Sequence, residues 1–87
     1  MPTVFVPPQL RRLAGDVQQI SVEARTVREV VAKLEQEFPG VRDRLLQDDD
    51  LRPGLNVSVD GKVSGLGLYQ KVQPDSEIHF IPAIGGG

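Results

Sequence analysis

The residues with most chemical promise stand at the end of the chain, where Ile81-Pro82-Ala83-Ile84 narrows to Gly85-Gly86-Gly87. At a glycine frequency of ~7%, a terminal triplet arises by chance about once in 3,000 chains. A frayed end also favours glycine, but two features favour chemistry. The segment leaves directly from a predicted strand ending in Ile81-Pro82, which gives it a defined origin, and its last three residues carry no side chain. Such a tail can thread a channel too tight for a Cβ and bring a terminal carboxylate beside a nucleotide phosphate. A carboxylate resists nucleophiles at neutral pH; adenylation converts it to an acyl phosphate that a persulfide can attack. The resulting thiocarboxylate is a soft anionic nucleophile. The chain has no cysteine, so no internal thiol would capture that sulfur.

Other chemistry is poorly provided for. Without cysteine, disulfides, Cys-based zinc sites and thiol nucleophiles are excluded. Ser21, Ser58, Ser64 and Ser76 share a single histidine, His79, whose neighbours Ile78 and Phe80 make it read as a half-exposed strand residue. Gly65-Leu66-Gly67 lacks the third glycine and the flanking strand and helix of a dinucleotide loop. Asp48-Asp49-Asp50 lacks the alternating ligands and terminal Glu of a calcium loop and reads as a solvated acidic loop. Arg11-Arg12 reads as a solvated surface pair. No metal site and no independent catalysis are expected. Ten basic residues stand against twelve acidic ones, a net charge of −2, with no basic stripe and no Trp; nucleic acid is therefore an unsuitable main partner. No apolar run approaches the ~20 residues of a membrane span. Met1-Pro2-Thr3-Val4 lacks the basic and apolar regions of a secretory signal, so a cytoplasmic protein without membrane contact is expected.

The chain is long enough, at 87 residues, for one domain with a modest core. Thr3-Val4-Phe5-Val6 reads as a strand stopped by Pro7-Pro8. After a connection from Gln9 to Gly15, Gln18 to Ala24 alternates, with Ile20, Val22 and Ala24 on one face. Thr26-Val27-Arg28-Glu29 is a capping box, in which the Thr26 hydroxyl accepts from the Glu29 N–H and the Glu29 carboxylate reaches back to Thr26. Val27, Val30, Val31, Leu34 and Phe38 then follow helical spacing, and Pro39-Gly40 stops the helix. About twelve residues make a marginal helix alone, so it needs a sheet to lie on. Val41 to Gln47 suggests a short second helix with Leu45 and Leu46 inward. Leu55 to Val59 alternates as a strand, Asp60-Gly61 signals a hairpin turn, and Lys62-Val63 starts the return. Ser64 to Val72 reads as irregular, Pro74-Asp75 as a turn, and Glu77 to Ile81 as the last strand. The expected organisation is a domain over 1–82 and a flexible tail over 83–87.

If the last strand pairs beside the first, the right-handed crossover leaves the helix on one face only. Alternation then groups Phe5, Pro7, His79 and Ile81 on the opposite face, near the root of the tail. Scattered surface apolarity would need no explanation; here it predicts a partner-binding patch, continued by Pro82, Ile84 and Gly85.

These segments, in this order, resemble the MoaD/ThiS family of sulfur carriers, which share the β-grasp fold of ubiquitin. The resemblance covers nearly the whole chain. It runs through Gln9-Leu10-Arg11-Arg12-Leu13-Ala14-Gly15, Thr26-Val27-Arg28-Glu29-Val30, Phe38-Pro39-Gly40, Leu55-Asn56-Val57-Ser58-Val59-Asp60-Gly61 and the ending Ile81 to Gly87. It implies an α+β, ubiquitin-like β-grasp fold, a mixed sheet with one main helix packed on one face. It also implies that Gly87 becomes the adenylate and then the thiocarboxylate, with Gly86 supplying slimness and flexibility. The activating partner would be an E1-like adenylating and sulfurtransferase enzyme using ATP and magnesium, which bind on that enzyme and not here. A downstream synthase would accept the sulfur. Pro7-Pro8 stands where molybdopterin-synthase small subunits usually have Phe-Ala. The resemblance therefore leans toward the carrier branch used in cysteine synthesis and related sulfur transfers. The molybdopterin-synthase subunit, a modifier conjugated to protein lysines through the same tail, and an interaction module with an inert tail are the alternatives.

Overall fold

The structure, a computed structural model, describes residues 1–63 and 65–82. The expected tail, 83–87, lies outside the described residues and with it Ile84, Gly85, Gly86 and Gly87.

Among the described residues seven strands and three α-helices follow in the order β1 (Thr3–Phe5), α1 (Arg11–Ala14), β2 (Gln19–Ser21), α2 (Val27–Glu37), α3 (Val41–Leu45), β3 (Leu46–Gln47), β4 (Asp50–Leu51), β5 (Leu55–Val59), β6 (Lys62–Val63) and β7 (Glu77–Pro82). The main sheet runs β2-β1-β7-β5-β6. Its central pair, β1 and β7, is parallel; β2, β5 and β6 join antiparallel. A five-stranded mixed sheet with one long helix across one face is the expected β-grasp architecture. No helix of the described residues is long and apolar enough to cross a membrane.

Helix α2 starts where Thr26, held extended, accepts the Glu29 N–H on its Oγ1 at 3.2 Å. The other arm of the expected capping box differs: Glu29 Oε1 accepts from the Arg25 N–H at 2.8 Å, one residue further back than Thr26. Backbone bonds from Val27 N–H to the Gln70 carbonyl and from Val72 N–H to the Arg25 carbonyl hold this segment in a bridge to Lys71. The direction in which the chain enters the helix is thus set by tertiary pairing, and the glutamate follows it. Beyond α2, Glu35 accepts from the N–H groups of Gly40 and Arg42 at 2.9–3.2 Å. Gly40 has φ +104°, where a side chain would be strained. These bonds hold the Glu35 carboxyl below its ordinary range and turn the chain sharply into α3.

The apolar stripe of α2 (Val27, Val30, Val31 and Leu34) is buried in one cluster with Val4, Val57, Val59, Ile78 and Phe80. Leu45 and Leu46 are buried as expected, but the helix expected over 41–47 stops at Leu45, and Leu46–Gln47 turn extended to pair with β4. Asp48 and Asp49, expected in a solvated loop, occupy positive φ (54° and 63°) between β3 and β4. They form the two central residues of a tight hairpin, a conformation that Asp tolerates better than most residues.

Each large side chain of the α2 stripe contributes roughly 1.5–3 kcal/mol by burial before entropy is counted. Leu34→Ala is expected to destabilise the domain by about 2–5 kcal/mol through the cavity it leaves. Urea melts measure this, and a loss below ~1 kcal/mol would contradict the packing described.

Candidate functional site

The sheet face away from α2 carries the residues that alternation selected. In the parallel β1–β7 register Phe5 lies opposite His79. Their rings stack with centroids 4.3 Å apart and planes within 5°. Both are half-buried although no helix covers them: on an open face, each ring shields the other from water. Ile81, two residues on and so on the same face, is 36% exposed.

Register defines the surroundings. Phe5 pairs with Gln19 of β2, His79 with Ser58 of β5, Ile81 with Asn56 of β5, and Thr3 with Glu77. Ser58 in turn pairs with Val63 of β6, itself 52% exposed. Among the strand positions of this face Glu77 is the one carboxylate, and there is no Lys or Arg. The face is therefore an apolar centre of Phe5, His79 and Ile81 bordered by the amides and hydroxyls of Gln19, Asn56 and Ser58, with Glu77 as its single charge at one end.

Pro7 does not belong to it. Strand β1 stops at Phe5, and the chain bends through Val6 and Pro7 into a turn of 3-10 helix over Pro8–Leu10, with the Leu10 N–H bonded to the Pro7 carbonyl. Alternation ends where the strand ends, so Val6 and Pro7 are both buried. Pro7 lines a void of about 10 Å³ under α2 with Val4, Val6, Leu10, Ala14, Leu34, Phe38 and Val41. Pro82 closes β7 opposite Leu55. The partner-binding residues expected beyond it, Ile84 and Gly85, and the carrier glycines lie outside the described residues.

Spacing alone did not point to the anchor at the other end of β7. Asp60 and Gly61 have φ of 53° and 84°, the left-handed pair that a type I′ hairpin needs. The Asp60 carboxylate then accepts from the Glu77 N–H at 2.9 Å and from the Ser76 hydroxyl at 2.8 Å. Its own N–H donates to the Glu77 carbonyl at 2.9 Å. Ser76 Oγ also accepts from the Gln73 N–H at 2.8 Å. One turn residue thus pins the start of the strand that bears His79 and Ile81. The Asp-Gly pair signalled a turn; its partners, 16 and 17 residues away, left no local trace. Among the described residues no group of three or more His, Cys, Asp or Glu side chains is placed to hold a metal ion.

The ThiS family model matches residues 4–87. The chain belongs to the ThiS family. Over 98% of its length it is 30% identical to the sulfur carrier protein CysO of Mycobacterium bovis, covering 97% of that protein. It superposes on the crystal structure of the BexX/CysO complex of Amycolatopsis orientalis with TM-score 0.89 and 29% identity, each chain covered in full. The Mycobacterium tuberculosis CysO crystal structure gives TM-score 0.87 at 26% identity, over 97% of this chain and 100% of that one. The ubiquitin-like β-grasp reading of this ThiS-family chain is thereby established.

The two hydrogen bonds that Asp60 accepts hold its carboxyl below the ordinary aspartate range, the Glu77 N–H more strongly than the Ser76 hydroxyl. Because the folded value is lowered, the stabilisation is present above the unfolded value of about 3.9 and is lost as pH falls through the folded one. Asp60→Asn keeps a residue suited to positive φ and removes the charge. The variant is expected to be less stable than wild type at neutral pH, with the gap closing below about pH 4. Urea melts across a pH series read this out directly.

Proposed function

We propose that this chain is a sulfur carrier whose terminal Gly87 carboxylate is adenylated by an E1-like partner and converted to a thiocarboxylate. The observation that carries the reading is the reach of the ThiS-family match: it runs through the domain and on to residue 87, so it includes the glycine ending. End-to-end similarity to CysO, a sulfur carrier by name, supports the cysteine-branch assignment over the molybdopterin-synthase one. CysO crystallised with BexX supports a partner protein for this chain as well.

The chemistry asks little of the carrier beyond a reachable carboxylate. A Gly87 carboxylate oxygen attacks the α-phosphorus of ATP, held with magnesium on the partner, and pyrophosphate leaves. The terminal sulfur of a persulfide then displaces AMP at the carbonyl carbon. A thiol cleaves the resulting S–S bond, is itself oxidised to a disulfide, and frees the thiocarboxylate for a sulfur-accepting synthase. Gly86 keeps the approach slim. The Phe5, His79 and Ile81 face docks the domain so that the segment after β7 enters the partner's active site, with Pro82, Ile84 and Gly85 lining the way.

Deletion of Gly87 withdraws the carboxylate by up to ~3.6 Å of extended chain, a large displacement when reacting atoms must sit about 3–3.5 Å apart. ATP-dependent adenylate or thiocarboxylate formation, read by intact mass, is expected to be lost in that variant and in one extended past Gly87. Gly86→Val is expected to impair it without unfolding the domain. Full activity of the deletion, with fragmentation showing that Gly86 is not modified instead, would overturn the carrier reading. A ladder of conjugates on other proteins would identify a modifier. For docking, Phe5→Asp and Ile81→Asp each bury a charge against the partner. Each is expected to weaken binding by on the order of tenfold or more; the urea midpoint stays nearly unchanged for Ile81→Asp and falls for Phe5→Asp, which also loses the stack on His79. Unchanged affinity in both would remove this face from the interface.

A further inference from the structure

An apolar patch holds a partner without telling it which way to turn. Contact between apolar groups is non-directional, so a flat apolar surface meets the stacked rings and Ile81 equally well in several rotations. One rotation alone serves the carrier chemistry, the one that points the end of β7 at the partner's active site. An off-centre contact must fix it, and among the strand positions of this face Glu77 is the one charge. We propose that the Glu77 carboxylate is the orienting contact of the docking face, received by a basic side chain of the activating partner. The inference rests on the sulfur-carrier reading, which supplies the partner.

Glu77 is well placed for this. Residues 77, 79 and 81 share a face, so along the strand the carboxylate stands roughly 7 Å before His79 and roughly 13 Å before Ile81. The segment after Pro82 leaves from the opposite end of β7. Charge and exit thus lie at the two ends of one axis, with the apolar centre between them, and a cation that holds the first end aims the second. The backbone under the charge is fixed. The Glu77 N–H donates to the Asp60 carboxylate at 2.9 Å, its carbonyl accepts from the Asp60 N–H at 2.9 Å, and Thr3 lies opposite it in the β1 register. The side chain itself is exposed, and among the described residues it accepts no hydrogen bond and pairs with no cation. Both oxygens are left for the partner, which suits the paired N–H donors of an arginine.

An exposed ion pair at a rim adds little affinity. Its effect falls on encounter and on wrong orientations. Opposite charges raise the rate of correct encounter, and a docking turned end for end leaves the partner's cation over apolar side chains. Asp60 and Asp75 add negative charge at the same end, but the Asp60 carboxylate is engaged by Ser76 and Glu77, and Asp75 lies in the turn before β7. On the helix side of the sheet, Glu37 at the end of α2 is also exposed. Glu37→Lys therefore makes the same change in net charge away from the docking face.

The test uses the full chain and the enzyme that adenylates it. Association rates are measured by stopped flow from low to moderate salt, and adenylation by intact mass. Wild-type association is expected to slow as salt rises. Glu77→Gln is expected to lower the association rate about threefold and flatten its salt dependence, and Glu77→Lys to lower it by on the order of tenfold or more. Urea midpoints are expected to match wild type, and Glu77→Gln decides the matter if Glu77→Lys folds poorly. Glu37→Lys is expected to leave the rate and its salt dependence close to wild type. Wild-type rates in the Glu77 variants would overturn the proposal, as would an equal loss in Glu37→Lys, which would assign the effect to net charge. Either result with normal wild-type adenylation overturns this inference alone; absence of wild-type adenylation would overturn the sulfur-carrier reading and the inference with it.

Discussion

The backbone pairing of β1 with β7 is the contact on which the rest of this molecule depends. It joins strands from opposite ends of the described chain, and it is the sheet's parallel pair. A parallel pair needs a long crossover between its strands, and α2 lies within it. The same register puts Phe5 beside His79. Core and candidate docking face are thus the two sides of one ladder: Val4 opposite Ile78 looks toward the helix, and Phe5 opposite His79 looks away.

Around that ladder the chain uses carboxylates as backbone clamps in place of ion pairs. Glu35 gathers the N–H groups that follow α2, and Asp60 gathers those that begin β7. Each acts where the chain changes direction and where a strand or helix would otherwise leave donors unpaired. The single salt bridge found among the described residues, Arg42 to Asp49, is an exposed one of a kind that contributes little. Burial therefore supplies the stability, and the clamps choose which burial is reached.

What was legible in the sequence was whatever has a short period. The helical stripe from Val27 to Leu34, the alternation of Leu55 to Val59 and the Asp60-Gly61 turn were all visible, because 3.6-residue and 2-residue repeats show in a short window. Placing Phe5 on the face of His79 needed one further inference, the neighbouring of the two strands. Pro7 was misplaced because alternation was carried two residues past the point where β1 bends. The Glu29 carboxylate was directed at Thr26 because local capping rules ignore a bridge made from residue 71. The Asp60 clamp, the Glu35 clamp and the hairpin at Asp48-Asp49 depend on contacts or backbone angles with no periodic signature.

The position of β7 between two partners also has a mechanical consequence. Every strand residue from Glu77 to His79 is held by β1 on one side, and those from Ile78 to Pro82 by β5 on the other. A load applied beyond Pro82 and resisted at Thr3 pulls two parallel neighbours in opposite directions along their axes. The ladder bonds lie across that load, so they are sheared together instead of being peeled one at a time. A pull on the end of β7 is therefore met by the β1 and β5 ladders together, and the strand stays in the sheet until both give way.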